Sequence, residues 1–435
     1  MLTPALQATI LAKYSRSAES AREIIDAISE EEADKFQDKW VVQYGHSSVA
    51  ELATIPICFE GVSIIASKYL ESWPRAGYSE KSTRYQEFSS DSFVPPPGAP
   101  DTMKNFVSQY YQAYQSMLDP MRRICAIKMD KDPDDPKTMQ DRTVRARAFD
   151  NVRYLLPAGT GTNLAAVMNM LDVRNLIKGL RGHPNLEFQA IGEKVHDAVI
   201  KVAPTLVRHT EPDTFALRTQ SLGSLSLEHF DYLNPQPYVR FSDFDSEVAD
   251  MLNVIKFKSK VADLYGMSWP TFVKYMESRP DHHEVPQVFR TLDTVLDIMM
   301  DYGAYRDLQR HRRCEQFPEP LSAGYGYVVP DDIRDSDLEP LYHKTMGLVA
   351  NYADEDIVHD PILMQYMVPL GYLHRTEFKM DLAELYYIAE LRTKPQGHIS
   401  YRRIAFDMFN IASKRWPELM QWCRAIRPDS IGAHT

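Results

Sequence analysis

The stretch "LQRHRRCEQFPEPL", residues 308–321, places four groups that carry or can accept positive charge side by side, from Arg310 to Arg313. Adjacent cations repel one another, so either a bound anion offsets the repulsion or the run is a solvated helix end. Guanidinium groups form forked, permanently charged hydrogen bonds that suit phosphate and carboxylate, which favours a bound ligand. This stretch has a diverged counterpart in the other half of the chain, and that relationship decides the expected fold.

Several sequence landmarks occur twice along the chain, in the same order. They are "GHSSVAE" (45–51) with "HHEVPQV" (282–288), "RYLLPAG" (153–159) with "QYMVPLG" (365–371), "GLRGHP" (179–184) with "ELRTKP" (390–395), and "APTL" (203–206) with "WPEL" (416–419). Ordered self-similarity of this kind is typical of internal duplication. We therefore expect a first domain at 1–220, a linker at 221–240 that mixes Gly, Ser, Pro and Asn, and a second domain at 241–435.

Length and composition limit the class of protein. The 435 residues fit two domains, and 44% hydrophobic with 25% charged residues is the balance of a globular protein. Short strands alternate irregularly with longer amphipathic helices in each half, which predicts an α+β fold. The net charge of -11 argues against binding to nucleic acid or to an anionic membrane. No apolar run reaches the length of a membrane span and no signal peptide is evident, so a cytoplasmic protein is expected.

Metal and disulfide chemistry are not expected. The cysteines Cys58, Cys125, Cys314 and Cys423 form no CxxC pair, which excludes a zinc ribbon and gives no disulfide framework. The "DHH" run at 281–283 has no further ligands at metal spacing. Cys314 directly follows the basic run, where neighbouring cations are expected to lower the thiol pKa.

The counterpart of the opening stretch is "SWPRAGYSEKSTRYQEF", residues 72–88, and the two have diverged in complementary ways. The second half has Arg310-His311-Arg312 where the first has Ser-Trp-Pro, and the first has "SEKSTRY" (79–85) where the second has "FPEPLSA". Together they recover Arg-His-Arg-x-x-Ser-x-Asn-x-x-Ser-x-Arg, the signature of flavin-dependent thymidylate synthases. The whole chain resembles two such domains fused in tandem, each a small, mainly antiparallel sheet packed with long helices.

The resemblance implies a reaction and its cofactors. It implies FAD-dependent reductive methylation of dUMP to dTMP, with methylenetetrahydrofolate as carbon donor and NADPH as reductant of the flavin. Arg310, His311 and Arg312 would lie against the flavin, as the first triplet of the family does. The nucleotide phosphate would be bound by Ser82 and Arg84.

Further arginines match the family at single positions. Arg153, in "VRYLLP", would be a second phosphate arginine. Arg181 and Arg392, in the two LRxxP stretches, are alternative candidates for the catalytic arginine that reaches the pyrimidine ring, and Arg392 would thereby contact substrate. One of the two can instead be a cation that stabilises a helix end.

His46, Ser48 and Glu51 match the family's flavin-contacting His-x-Ser/Thr-x-x-Glu element. The same residues can equally form a helix N-terminus, with a serine cap and Glu51 completing a capping box. In the second half His283 keeps the histidine, while valines replace the polar partners. The second-half copy of this element is therefore expected not to contact the flavin.

The resemblance also implies an assembly. Family members are homotetramers whose active sites combine several subunits, so a two-domain chain is expected to form a homodimer of four domains. Each half lacks a part of the signature that the other half keeps. Two competent sites per dimer, not four, are therefore expected. Gly77 and Ser79 stand where the family has serine and asparagine, which leaves the nucleotide open. A flavoenzyme acting on another pyrimidine nucleotide, or a non-catalytic relative binding a nucleotide or a partner protein, remain alternatives.

Overall fold

The structure, a computed structural model, describes residues 2–39, 47–128, 137–212, 236–242, 246–349 and 360–428. It consists of many helices and two small antiparallel sheets, one in each half of the chain, which confirms the expected α+β class. Among the described helices, none is both long and apolar enough to cross a bilayer.

Helices outnumber strands in both halves of the described chain. Described helices of the first half are α1 (Pro4–Tyr14), α2 (Ala21–Ala27), α3 (Glu30–Gln37), α4 (Ser47–Ala50), α5 (Ile64–Leu70), α6 (Asp101–Lys128), α7 (Lys137–Val152), α8 (Met170–Arg181) and α9 (Leu186–Val199). Those of the second half are α10 (Glu247–Tyr265), α11 (Trp269–Glu277), α12 (Tyr302–Leu308), α13 (Glu339–Met346), α14 (Pro361–Met367), α15 (Leu382–Arg392), α16 (Ile399–Arg415) and α17 (Pro417–Met420). The strands are β1 (Thr54–Ser63), β2 (Gly77–Glu80), β3 (Gly161–Asn169), β4 (Tyr238–Phe241), β5 (Asp293–Asp301), β6 (Glu315–Pro318) and β7 (Leu373–Asp381).

The two sheets share one strand arrangement. The first has the order β1-β3-β2, and the second has β4-β5-β7-β6, so β5-β7-β6 repeats the first sheet and β4 is added at its edge. The registers also match: Gly77 at the start of β2 faces Val167 of β3, and Glu315 at the start of β6 faces Lys379 of β7. Burial alternates along β3, so one face of the sheet packs on the core while the other stays partly exposed.

Equivalent polar caps start the helices that follow the long strands. Ser63 ends β1 and accepts a hydrogen bond from the first turn of α5, and Asp301 does the same between β5 and α12. Asn169 and Asp381 cap α8 and α15 at the ends of β3 and β7. A side-chain acceptor at this position satisfies a free helix N–H and is worth about 1 kcal/mol. Local sequence therefore fixes the same strand-to-helix turns in both halves.

The halves meet through two segments of similar sequence, at 153–159 and 365–371. The N–H of Ala158 donates to the carbonyl of Val368 at 2.9 Å, and Leu370 donates to Leu156 at the same distance. Pro157 lies opposite Pro369 in this short antiparallel bridge. Each half thus contributes the same bonds to the other, which is the property of an isologous, two-fold interface. The bridge itself therefore has approximate local two-fold symmetry.

A continuous apolar core joins the halves. Helix α6 buries Tyr110, Tyr114 and Met117 in the same cluster as Tyr342 and other side chains of the second half. A smaller cluster lies under the first sheet alone. Truncating a buried side chain such as Met117 to alanine would cost about 2 to 5 kcal/mol, because a cavity remains.

Candidate active site

Two glutamines fix the loop that carries the Arg-His-Arg triplet. Helix α12 ends at Leu308, and the chain turns through residues 309–314 into β6. The Nε2 of Gln309 donates to the carbonyl of Lys68 at 2.7 Å, which ties the loop to helix α5 of the first half. The Nε2 of Gln316 donates to the carbonyls of Gln309 and His311 at 3.2 and 3.1 Å. The triplet is therefore presented by a braced loop at the junction of the halves.

His311 is buried and lies between an acid and an arginine. The Nε of Arg392 donates to its Nε2 at 2.8 Å, and its Nδ1 lies 3.0 Å from Glu384. An arginine has donors only, so Nε2 is the acceptor and Nδ1 carries the proton that is donated to Glu384. Burial lowers the pKa of His311, against the opposing effect of the Glu384 hydrogen bond. The ring is neutral and holds Arg392 in place.

Arg310 and Arg312 remain available for an anion. The side chain of Arg310 is half exposed, and its Nη2 lies 4.0 Å from Glu80. The guanidinium of Arg312 lies over the ring of Tyr78, 5.1 Å from its centre. Its buried Nε has no hydrogen-bond partner within the described ranges. These two side chains keep donors that a phosphate can accept.

The next two residues of the basic run behave differently. Arg313 donates to Asp381 at 2.7 Å, so a carboxylate at the start of α15 already offsets its charge. Cys314 is buried, and burial raises the pKa of its thiol, with Glu384 and Asp381 acting in the same direction. The expected lowering by neighbouring cations was wrong, because desolvation of the thiolate outweighs them.

Glu80 forms a buried ion cluster between the halves that sequence reasoning missed. Its carboxylate lies 3.0 Å from Lys68 and 3.2 Å from Arg306 of α12, and accepts from Ser67 at 2.9 Å. Burial opposes ionisation of Glu80, but Lys68 and Arg306 outweigh it and the pKa of the carboxyl is lowered. Breaking such a pair leaves an uncompensated buried charge, which typically costs about 3 to 5 kcal/mol. The position of Glu80 inside "SEKSTRY" was the available signal.

The three phosphate candidates of the first half lie together. The Oγ of Ser82 accepts from the N–H of Arg84 at 3.2 Å, so the two residues share a tight turn. Arg84 donates to Asp150 at 2.7 Å, and Arg153 lies 3.6 Å from the same carboxylate. Arg153 also lies 3.8 Å from Asp307 of the second half.

Both arginines keep unused donors. The Nε of Arg84 and the Nε and Nη2 of Arg153 have no hydrogen-bond partner in the described chain. Arg153 is almost completely buried, where unpaired donors are costly. Two convergent guanidinium groups with free donors are suited to a phosphate group.

Tyr401 connects these arginines to the triplet. The guanidinium of Arg392 lies 5.7 Å from the centre of the Tyr401 ring. Burial raises the pKa of Tyr401 and Asp307 adds to the rise, while Arg392 and Arg84 act in the opposite direction. Arg84 of the first half and Arg392 of the second therefore both act electrostatically on one tyrosine of the same chain. Tyr401 and Asp307 were not predicted, since they carry no signature of their own.

The remaining predicted residues lie elsewhere or outside the described chain. Arg181 donates to Glu193 at 2.6 Å and to Thr210 at 3.0 Å, both in the first half. Ser48 is exposed on α4, and Glu51 pairs with Arg75 at 2.6 Å, beside α8. His46 and most of the predicted linker at 221–240 lie outside the described residues.

The chain is similar to proteins of one known family. The family model described as thymidylate synthase complementing protein matches residues 3–205 and 255–418. A UPF0159 protein of Chlamydia pneumoniae is 29% identical over 93% of this chain and 86% of its own length. A flavin-dependent thymidylate synthase of Sulfurisphaera tokodaii is 26% identical over 41% of this chain and 64% of its own. The structure of flavin-dependent thymidylate synthase ThyX from Helicobacter pylori, complexed with FAD and dUMP, matches 48% of this chain and 96% of its own at 16% identity and a TM-score of 0.31. The family match covers most of the chain in both halves, and the protein belongs to the thymidylate synthase complementing protein family.

Proposed function

We propose that this protein is a flavoenzyme that methylates a pyrimidine nucleotide, with dUMP as substrate and dTMP as product. Methylenetetrahydrofolate would supply the carbon and NADPH would reduce the flavin. The observation that carries the proposal is that Arg84 and Arg153 meet at Asp150, while Arg392 of the other half lies 5.7 Å from the centre of the Tyr401 ring, whose pKa Arg84 also lowers.

In this proposal the two halves bind different parts of the nucleotide. Arg84 and Arg153 would neutralise the phosphate with their unused donors, and the Ser82 hydroxyl would donate to a phosphate oxygen. Arg392, fixed by His311, would donate to the pyrimidine ring and stabilise negative charge that develops on it. Asp150 and Asp307 would orient the phosphate arginines.

The residues of the triplet fit a flavin cofactor. Arg310 is half exposed, and the Nε of Arg312 is buried without a partner among the described residues. These donors suit the FAD pyrophosphate, and the Tyr78 ring beneath Arg312 limits its movement. FAD, when bound, supplies the hydride of the reduction. The role of the chain is to orient the nucleotide against it.

We further propose that the halves arose by duplication and that the protein works as a homodimer. Equal strand order, equal register and reciprocal bonds between the halves support the duplication. Ser48 lies on α4, and Glu51 is held by Arg75 beside α8. Together with His46 they would contact flavin bound to the triplet of the other chain. Each dimer would then have two competent sites.

The test combines cofactor retention with a tritium-release assay. Purified protein should carry FAD, and [5-3H]dUMP should release tritium only with methylenetetrahydrofolate and NADPH present. UMP and dCMP run in parallel decide whether another pyrimidine nucleotide is the substrate. Protein that binds neither FAD nor any of the three nucleotides would overturn the proposal.

A further inference from the structure

The guanidinium of Arg392 makes two different contacts within the second half. Its Nε donates to the Nε2 of His311 at 2.8 Å, and its central carbon lies 5.7 Å from the centre of the Tyr401 ring. The hydrogen bond alone leaves the guanidinium free to rotate about the line that joins the two nitrogen atoms. A contact with the face of an aromatic ring is attractive and restricts this rotation. Tyr401 therefore limits the directions in which Arg392 can donate.

The Tyr401 ring is itself held in place. The residue is 9% exposed and lies in the first turn of α16. His398 caps that helix by accepting from the N–H of Ser400 at 3.2 Å, and the Ser400 hydroxyl donates to Asp301 at the end of β5. Side chains packed in a protein interior keep one rotamer on the time average. The ring is a fixed surface against which Arg392 packs.

Gly397 leaves room for this ring. A Cβ atom at position 397 would lie 2.7 Å from two carbon atoms of the Tyr401 ring, which is closer than side chains pack in proteins. Gly397 is not among the glycines with a positive φ angle, so its backbone conformation does not by itself require glycine. The close approach of the ring therefore explains the glycine at this position.

The equivalent turn of the first half is built differently. Residues 182–184 separate the end of α8 from the N-cap of α9, whereas residues 393–397 separate the end of α15 from the N-cap of α16. Phe188 occupies the third position of α9, as Tyr401 does in α16, but its ring packs on aromatic side chains of the first half. Arg181 pairs with a glutamate of α9. The longer turn of the second half accompanies the contact between arginine and ring.

We propose that Tyr401 is a positioning residue for Arg392 and that Gly397 is required to admit its ring. Neither Nη atom of Arg392 has a hydrogen-bond partner within the described ranges, so both remain available to a nucleotide. A guanidinium that is already oriented loses less conformational freedom when it binds. The inference rests on the proposed contact of Arg392 with the pyrimidine ring, and it adds the side chain that sets the orientation of that contact.

The experiment measures dUMP binding to the full-length protein by calorimetry. Tyr401→Leu should weaken binding by about fivefold or more, the effect of one lost cation–π contact, and leave FAD retention unchanged. Tyr401→Phe keeps the ring and should recover most of that affinity. Gly397→Ala should resemble Tyr401→Leu, because the added methyl group displaces the ring. Gly347→Ala is the matched control, since its Cβ would lie 3.4 Å from the nearest neighbouring atom.

A double-mutant cycle shows whether Tyr401 acts through Arg392. In the Arg392→Ala protein, Tyr401→Leu should cause no further loss of affinity, because the group that the ring positions is gone. An equal loss with and without Arg392 would overturn the inference and indicate a general effect on the fold. A loss in Tyr401→Phe as large as that in Tyr401→Leu would also overturn it, because the hydroxyl would then contact the nucleotide directly.

Failure of the proposed function gives a different result. If Arg392→Ala itself binds dUMP as wild type does, the contact between Arg392 and the nucleotide is wrong, and the positioning role is refuted with it. If Arg392→Ala weakens binding while Tyr401→Leu and Gly397→Ala do not, only the positioning role is refuted. Thermal unfolding of each variant is recorded in parallel. Should Tyr401→Leu fail to fold, the cycle with Arg392→Ala is carried out with Gly397→Ala in its place.

Discussion

Arg392 donates a hydrogen bond from its Nε to the Nε2 of His311, at 2.8 Å. This bond joins the late LRxxP arginine to the middle of the Arg-His-Arg triplet. His311 is 3% exposed and its other nitrogen faces Glu384, so it has no free polar atom for a ligand. We infer that His311 positions Arg392, while the two flanking arginines meet the flavin.

Replacing His311 should therefore affect the nucleotide more than the flavin. In His311→Ala, Arg392 loses the acceptor that orients it, so nucleotide affinity should fall by about tenfold, the effect of one lost hydrogen bond to a charged group. Retention of FAD, measured by visible absorbance after gel filtration, should change little. His311→Gln, which can still accept from Arg392, should recover part of the affinity. Loss of FAD without loss of nucleotide binding would contradict the positioning role.

The flanking arginines should show the reverse pattern. Arg310→Ala and Arg312→Ala should each weaken FAD retention, because both side chains keep donors available for the pyrophosphate. Arg313→Ala is the matched control, since Asp381 already holds that guanidinium. Dissociation of FAD is followed by fluorescence on dilution. Equal effects in all three variants would indicate a general basic patch.

Arg84→Ala should weaken nucleotide binding and leave FAD bound. One charge-assisted contact to phosphate is worth about 1.5 to 3 kcal/mol, or about one to two decades in affinity. Arg290→Ala provides the control, because its ion pair with Glu284 is largely exposed. Calorimetric titration with dUMP measures both. If Arg84→Ala binds dUMP as tightly as the control, the phosphate site lies elsewhere.

The sequence predicted the fold class because caps, strands and helices are set locally and repeat in both halves. Ser63 and Asp301 cap equivalent helices, and such signals can be read without tertiary structure. The triplet and "SEKSTRY" could also be found, since their residue types suit anion binding.

The partners of these residues could not be found in the same way. Arg181 and Arg392 stand in equivalent LRxxP stretches, yet Arg181 meets Glu193 and Arg392 meets His311. The partner that each arginine contacts is determined by residues outside the LRxxP stretch. Cys314 makes the same point, because neighbouring cations suggested a lowered pKa while tertiary burial raised it.

Acid should destabilise the protein through His374. The folded state keeps this ring neutral, with a pKa lowered to about 3 by burial, whereas the unfolded chain accepts a proton below about pH 6.5. Its contribution to stability is therefore complete above pH 6.5 and is lost as the pH falls from there toward 3. Between pH 7.5 and 5 the loss of stability is about 2 kcal/mol.

Denaturant unfolding of wild type and His374→Leu measures this loss, and the variant should lack this part of the pH dependence. Parallel pH profiles would show that His374 is not held neutral.

The last prediction concerns whether a nucleotide site is built within one chain. Arg392 lies 5.7 Å from the centre of the Tyr401 ring, and Arg84 of the other half lowers the pKa of the same tyrosine within a single chain. Arg84→Ala and Arg392→Ala should each abolish most tritium release. Mixed dimers, isolated with two affinity tags, should be no more active than either variant, because each chain carries one damaged site. Dimers of each variant with wild-type chains, which keep one intact site, provide the control and should retain about half of the activity.

If sites were assembled between chains, one site of the mixed dimer would collect both substitutions and the other would be intact. Recovery to about half of wild-type activity in that dimer would therefore refute the single-chain site.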